Sequence, residues 1–230
     1  MSSANGTDGV AETAGIAGVY SSLPDEFAGY FKGLVGQIEI GLPKQGSRVL
    51  LLSSSSAGEG TTEVTIGLGL TLALAMGRKT AVVDCNSQHP EMHIRFRTPE
   101  AGLGNYLAGE ITLDRALANT VVPNMYVMPV GTHPFSLVGA AKDELESLIG
   151  ELRNKFDYVL IDTAPVGTYP DCAVLCDKVD AVILIVKHGS TRREVARRTK
   201  EIVVRAGGRI LGVVLNRRNY PIPEFIYKRL

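Results

Sequence analysis

An apolar run followed by small residues, Val49-Leu50-Leu51-Leu52-Ser53-Ser54-Ser55-Ser56-Ala57-Gly58-Glu59-Gly60-Thr61-Thr62, constrains this chain more than any other stretch. Val49 to Leu52 is long enough for a buried strand, and the proline-free apolar run from Val64 to Met76 reads as a helix. Strand, glycine-rich turn and helix in that order make a phosphate-binding loop. Successive backbone N–H groups turn toward an anion, and the helix N-terminus adds its positive dipole end. One part is missing. Such loops end Gly-Lys-Ser/Thr, and this one ends Gly60-Thr61-Thr62. No Lys or Arg lies between Arg48 and Arg78, while Glu59 and Glu63 sit in or beside the loop. Losing one charge-assisted contact to a phosphate costs on the order of 2–5 kcal/mol, enough to move micromolar binding into the millimolar range. The plain alternative is a strand-to-helix turn without a ligand.

At 230 residues the chain suits one sizeable domain with a real core. A formal net charge of +0 argues against a nucleic-acid binder. Three cysteines, Cys85, Cys172 and Cys176, without a signal peptide suggest a reducing, cytoplasmic compartment. Cys172 and Cys176 have helical spacing but no His or further Cys beside them in sequence, so buried thiols are favoured over a metal site. No apolar run approaches the ~20 residues of a membrane span. Direct membrane insertion is therefore not expected, and any membrane association runs through a partner.

Residues 1–22, rich in Gly, Ala, Ser and Thr, read as a disordered lead. Residues 23–218 read as one domain and 219–230 as a tail. Apolar spacing from Asp25 to Ile40 indicates a helix, weakened by Gly29, Gly33 and Gly36. Further buried strands are expected at Thr80–Asp84, Met125–Pro129, Tyr158–Asp162, Asp180–Lys187 and Ile210–Leu215. Between them fall short helices at Leu103–Leu107 and Leu113–Leu117 and longer ones at Ala140–Phe156 and Thr191–Arg205. Arg192, Arg193, Arg197, Arg198 and Lys200 on the last helix read as a solvated face rather than a phosphate contact.

Buried strands alternating with helices imply an α/β fold, a mainly parallel sheet with helices on both faces. Ligands in such sheets bind beyond the C-terminal strand ends. Ser53, Asp84, Asp162 and Asn216 all fall there. The alternative role for such residues is helix capping.

Several stretches together resemble the bacterial tyrosine kinases of capsule and exopolysaccharide synthesis, within the MinD/ParA-like P-loop proteins. The family loop P-G-E-G-K-S/T-T matches Ala57-Gly58-Glu59-Gly60-Thr61-Thr62-Glu63. A second motif, I-D-A-D-x-R-x-P, matches Val83-Asp84-Cys85-Asn86-Ser87-Gln88-His89-Pro90. The segment F-D-Y-V-I-I-D-T-P-P-V matches Phe156-Asp157-Tyr158-Val159-Leu160-Ile161-Asp162-Thr163-Ala164-Pro165-Val166. Leu211-Gly212-Val213-Val214-Leu215-Asn216 also fits, and the likeness runs from about residue 26 to 220.

The resemblance implies ATP and Mg²⁺ as cofactors, if nucleotide binding survives the missing lysine. It places Gly58, Glu59, Gly60, Thr61, Thr62 and Asn216 at the nucleotide. Thr62, Asp84 and Asp162 fall at the metal, and Asp84 and Asp162 take the catalytic acid positions. It also implies a membrane polysaccharide co-polymerase or chain-length adaptor as partner, and a place at the inner face of the cell membrane. The departures are specific. Thr61 replaces the lysine, Asn86 replaces the second acid of its motif, and Gln88-His89 replaces a basic pair. The family's assembly motif E-x-x-R-x-x-R falls on Gly29, Lys32 and Val35, so a monomer or small oligomer is expected instead of a ring. The family's tyrosine-rich tail is reduced to Tyr220 and Tyr227, the candidate phosphorylation sites. His93 and Arg95, just past the second motif, are candidates to supply cationic charge near the nucleotide. The expectation is a pseudokinase acting through its partner. The alternatives are an active autokinase with a substitute cation and a positioning ATPase of the MinD/ParA type.

Overall fold

The computed structural model describes residues 25–42, 45–140 and 142–217. The expected lead at 1–22 and the tail with Tyr220 and Tyr227 lie outside the described residues. Seven strands form one sheet: β1 (Arg48–Ser54), β2 (Thr80–Asp84), β3 (Ala118–Asn119), β4 (Met125–Met128), β5 (Tyr158–Asp162), β6 (Ala181–Lys187) and β7 (Ile210–Asn216). Their order across the sheet is β3-β4-β2-β5-β1-β6-β7, and every pair is parallel except β3 with β4. The loop-bearing β1 sits between β5 and β6, where both of its edges are paired.

Strand residues alternate between two cores, as the two-residue period of a strand requires. Val49, Leu51, Val83, Val159, Ile161, Val182 and Leu184 point to one side. There they meet Leu145, Leu148, Ile149 and Leu152 of helix α6 (Lys142–Lys155). Leu50, Leu52, Val82, Leu160, Ile183 and Ile185 point to the other. They are covered by Val35 and Ile38 of α1 (Asp25–Gly41) and by Val64 and Leu68 of α2 (Thr61–Leu70). The central strands, covered on both faces, read as unbroken apolar runs, whereas the expected buried strand at Ile210–Leu215 forms the half-exposed edge strand β7, with Val213 and Leu215 exposed. α7 (Arg193–Arg205) follows β6, with Val203 buried and Arg192, Arg193, Arg197, Arg198 and Lys200 exposed. All three cysteines are free and buried.

The structure adds elements too short to carry a periodic signal: β3, α3 (Met92–Phe96) and a 3-10 turn at Pro170–Leu175. The expected helices α4 (Leu103–Leu107) and α5 (Leu113–Ala116) are present. The helix read as Val64 to Met76 begins earlier, at Thr61, and widens into a π-helical turn over Thr71–Ala75.

α1 docks on α2 through one close approach. A Cβ on Gly67 would overlap the Phe31 ring, so the smallest residue is the one that lets the two helices meet. Gly67→Ala removes a flexible residue from a helix, which favours folding, and overpacks the seam, which opposes it by about 1–3 kcal/mol. The overpacking is the larger effect, so Gly67→Ala is expected to lower the urea midpoint with little change in slope. A raised midpoint would show that Phe31 swings aside without cost.

Candidate functional site

β1, β5 and β2 run side by side, and their register sets Leu52 beside Asp162 and Asp162 beside Asp84. Two carboxylates are thereby fixed on neighbouring strand ends, each 1% exposed. The chain leaving β1 turns through Gly58 and Gly60, at φ 76° and 90°, and enters α2 at Thr61. Gly60 is the N-cap in left-handed conformation and makes no side-chain cap, so the first-turn N–H groups of α2 face the loop uncapped by a side chain. A Cβ on Gly60 would also overlap the Asn216 amide nitrogen, so both geometry and space demand glycine there.

The first turn of α2 reaches the acids. Thr62 Oγ1 donates to Asp162 Oδ2 at 2.7 Å, and Thr65 Oγ1 lies 3.3 Å from Asp162 Oδ1. Asp84 accepts the Asn86 N–H at 3.0 Å and the Met92 N–H at 3.2 Å. Burial pushes the Asp84 carboxyl up to about 6, against the backbone donors and the nearby His93, which pull it down. Burial also drives Asp162 well above the usual carboxylate range, and the neighbouring Asp84 adds to the rise.

Two expected site residues play other parts. Ser53 Oγ accepts the Val166 N–H at 3.0 Å and donates to the Ala164 carbonyl at 3.1 Å, tying β1 to the segment after β5. Glu59 is buried, and its carboxylate folds back into its own loop. It accepts the Ser55 N–H at 2.8 Å and the Ser56 N–H at 3.3 Å, and it takes a hydrogen bond from the Thr191 hydroxyl ahead of α7. Thus Glu59 braces the loop rather than facing its mouth. Asn216, at the end of β7, donates to the Glu59 carbonyl at 2.9 Å and closes the loop from the other side. Thr61, in the lysine position, is buried at 8% exposure.

Glu63 differs from its sequence reading as an unopposed negative charge. Its Oε1 lies 3.7 Å from Nη2 of Arg95 on α3 and 3.7 Å from Nη2 of Arg217 after β7. Sequence reasoning singled out Arg95 only as a candidate cation and missed Thr65, Thr191 and Arg217. Thr65 lies three residues after Thr62 on one helix face, a spacing that identifies it. Thr191 and Arg217 are brought in only by the topology.

A cavity of about 1150 Å³ opens at the N-terminal ends of the strands among Arg48, Arg78, Lys79, Arg153 and Lys155. Much of its charge is already paired, Arg153 with Asp180 at 2.8 Å and Lys155 with Asp114 at 2.7 Å. The acids, the loop and the uncapped helix end lie at the C-terminal ends of the strands, the opposite end of the sheet.

The residues at the loop fit ATP·Mg²⁺ in part. A hydroxyl and two buried acids gather at the mouth of an open helix end, a donor set for a hard cation that keeps its water. Among the described residues, no three His, Cys, Asp or Glu side chains are grouped to hold a metal by themselves, so Thr62 has to complete the set. The ammonium that would face the phosphates is absent.

Comparison with known proteins follows the same lines. No protein-family profile matches the chain. The cell-division ATPase MinD of Pyrococcus furiosus superposes with a TM-score of 0.60 at 25% identity, over 80% of this chain and 78% of MinD. The crystal structure of the chimeric protein CapA2B2 superposes with a TM-score of 0.75 at 26% identity, over 83% and 84%. Sheet, loop and strand-end acids therefore define a MinD/ParA-like P-loop protein. In sequence, the tyrosine-protein kinase CpsD of Streptococcus agalactiae (serotype III, strain NEM316) is 30% identical over 182 residues, 78% of each chain. The succinoglycan biosynthesis transport protein ExoP of Rhizobium meliloti is 25% identical over 74% of this chain and 22% of its own. The chain belongs to the family of bacterial tyrosine kinases of capsule and exopolysaccharide synthesis. Among the described residues, no helix is long and apolar enough to cross a membrane.

The raised acids set a pH dependence. An acid whose folded pKa exceeds its unfolded value favours folding while protonated, and that contribution is lost as pH rises from the usual 3.8 through about 6. Asp84→Asn mimics the protonated form. In buffer with chelator it is expected to melt about 3–8 °C above wild type at pH 8 and no higher than wild type at pH 4.5. A difference in Tm that stays flat across this range would mean that Asp84 is not ionising at a cost.

Proposed function

We propose that this chain is a kinase-like protein of bacterial capsule or exopolysaccharide synthesis that binds ATP·Mg²⁺ weakly and does not phosphorylate itself efficiently. It regulates through a membrane chain-length or export partner. One observation carries the reading: the rim is kept while Thr61, buried, stands where an ammonium belongs. Phosphoryl transfer depends almost wholly on positioning and charge neutralisation. Bound ATP·Mg²⁺ would supply the phosphoryl group. Thr62, Asp84 and Asp162 would hold the metal, and Gly58, Gly60 and the first turn of α2 would line the phosphates.

Backbone N–H groups and a helix dipole contribute about 0.3–2 kcal/mol to such a site, less than the missing charge-assisted contact. Two of the loop's amides, on Ser55 and Ser56, already serve Glu59. Asn86 removes a second acid, and its Oδ1 accepts the His89 N–H at 3.2 Å, a role that aspartate keeps. A polysaccharide transport protein that contains this unit as a minor part of its length supports action beside a membrane component. Tyr220 and Tyr227 are proposed as targets of another kinase.

Titration calorimetry with ATP·Mg²⁺ tests the reading. Wild type is expected to bind in the high-micromolar range or weaker. Thr61→Lys is expected to bind at least tenfold more tightly, and Thr61→Lys with Asn86→Asp more tightly still. Light scattering of the same samples is expected to show a monomer or small oligomer. Low-micromolar binding by wild type, with label from ATP appearing on its own tyrosines, would end the pseudokinase reading.

A further inference from the structure

The missing ammonium leaves a charge vacancy, and the surroundings of Glu63 bear on it directly. Glu63 is the third residue of α2, and its Oε2 lies 3.4 Å from where a Cβ on Gly60 would stand. Its carboxylate therefore folds back over the end of the loop. Two guanidinium groups meet it there from opposite sides of the sheet, Arg95 from α3 beyond β2 and Arg217 from just past β7.

The two arginines are not equally committed. Arg95 is held by Glu91, with Nη2 at 2.6 Å and Nε at 2.8 Å from the same carboxylate oxygen. Among the described residues, the one ion pair of Arg217 is the longer contact with Glu63. Its backbone, at φ 53°, lies in the left-handed region that non-glycine residues rarely enter. The preceding residue, Asn216, is the one that closes the loop by binding the Glu59 carbonyl. A cation one residue from the loop's brace, weakly paired and partly exposed, is positioned by the fold and little consumed by it.

We propose that Arg217 is this chain's substitute for the loop lysine, a phosphate-directed cation held in reserve by Glu63. The inference rests on the weak-nucleotide reading above and names the side chain that carries what binding remains. Glu63 restrains Arg217 and also repels the ligand. Removing it therefore has two effects, and Arg217 decides how much of the gain is its own. Arg95, tied to Glu91, contributes to the field and stays in place.

Calorimetry with ATP·Mg²⁺ on the full chain, carried to millimolar ligand, separates these effects. Glu63→Gln is expected to bind at least threefold more tightly than wild type. Glu63→Gln with Arg217→Ala is expected to lose most of that gain, and Glu63→Gln with Arg217→Lys to keep most of it. A gain that survives intact in the Arg217→Ala double variant would show that Glu63 acts by repulsion alone and would overturn the proposal. So would the absence of any gain in Glu63→Gln. Thr61→Lys distinguishes the two readings. If it raises affinity while Arg217→Ala changes nothing in the Glu63→Gln background, the weak-nucleotide reading stands and this inference falls. If wild type binds tightly and Arg217→Ala abolishes that binding, the pseudokinase reading falls and Arg217 is confirmed as the cation.

Discussion

The Glu59 carboxylate accepts two amides of its own loop, at 2.8 and 3.3 Å, and a hydroxyl from the far side of β6. Asn216 binds the carbonyl of the same residue. Left to itself, a turn of serines and glycines has high conformational entropy, about 1–2 kcal/mol per ordered backbone residue. An ordinary P-loop offsets part of that with a bound phosphate. Here a buried carboxylate holds the early loop amides from within, so the turn keeps its form while contributing less to an incoming anion. The strand ends then follow: once β1 delivers the loop, its register with β5 sets Thr62 on Asp162, and β5 sets Asp162 beside Asp84.

Charge around this turn is divided between two layers. Glu59 belongs to the inner one, its carboxylate surrounded by amide and hydroxyl donors. Glu63 belongs to the outer one, with Arg95 and Arg217. The two buried acids gain from protonation or from a cation, and burial raises the pKa of both. In the function proposed above, such a site keeps the acids and hydroxyl of the metal side and has Thr61 where the lysine of the phosphate side would stand. Geometry alone does not restore affinity when a charge-assisted contact worth several kcal/mol is gone.

Much of this was legible in the residues. Apolar runs such as Tyr158-Val159-Leu160-Ile161 can be little else than buried parallel strands, and five of the six expected strands match within one residue at each end. The remaining one, Val49–Leu52, extends to Arg48–Ser54 because the polar serines keep pairing with β6. Asp84, Asp162 and Thr62 came together as strand-end logic and family resemblance required. What the sequence did not disclose is side-chain direction. Glu59 and Glu63 are four residues apart and look alike as loop acids, yet one is buried and the other faces two arginines. Arg217 is separated from Glu63 by most of the chain, and only the placement of β7 beside β6, which pairs with β1, brings it back. Ser53 looked like a rim residue and is a stitch between strands.

Amide hydrogen exchange at Ser55 and Ser56, resolved by NMR in nucleotide-free protein, tests most directly whether the loop is built by its own carboxylate. Strong protection at both amides in wild type, lost in Glu59→Gln while the amides of β1 stay protected, is the result expected. Exchange at Ser55 and Ser56 at the rate of an unstructured chain in wild type would mean that the loop is not formed without a ligand, and the account of the site would fail.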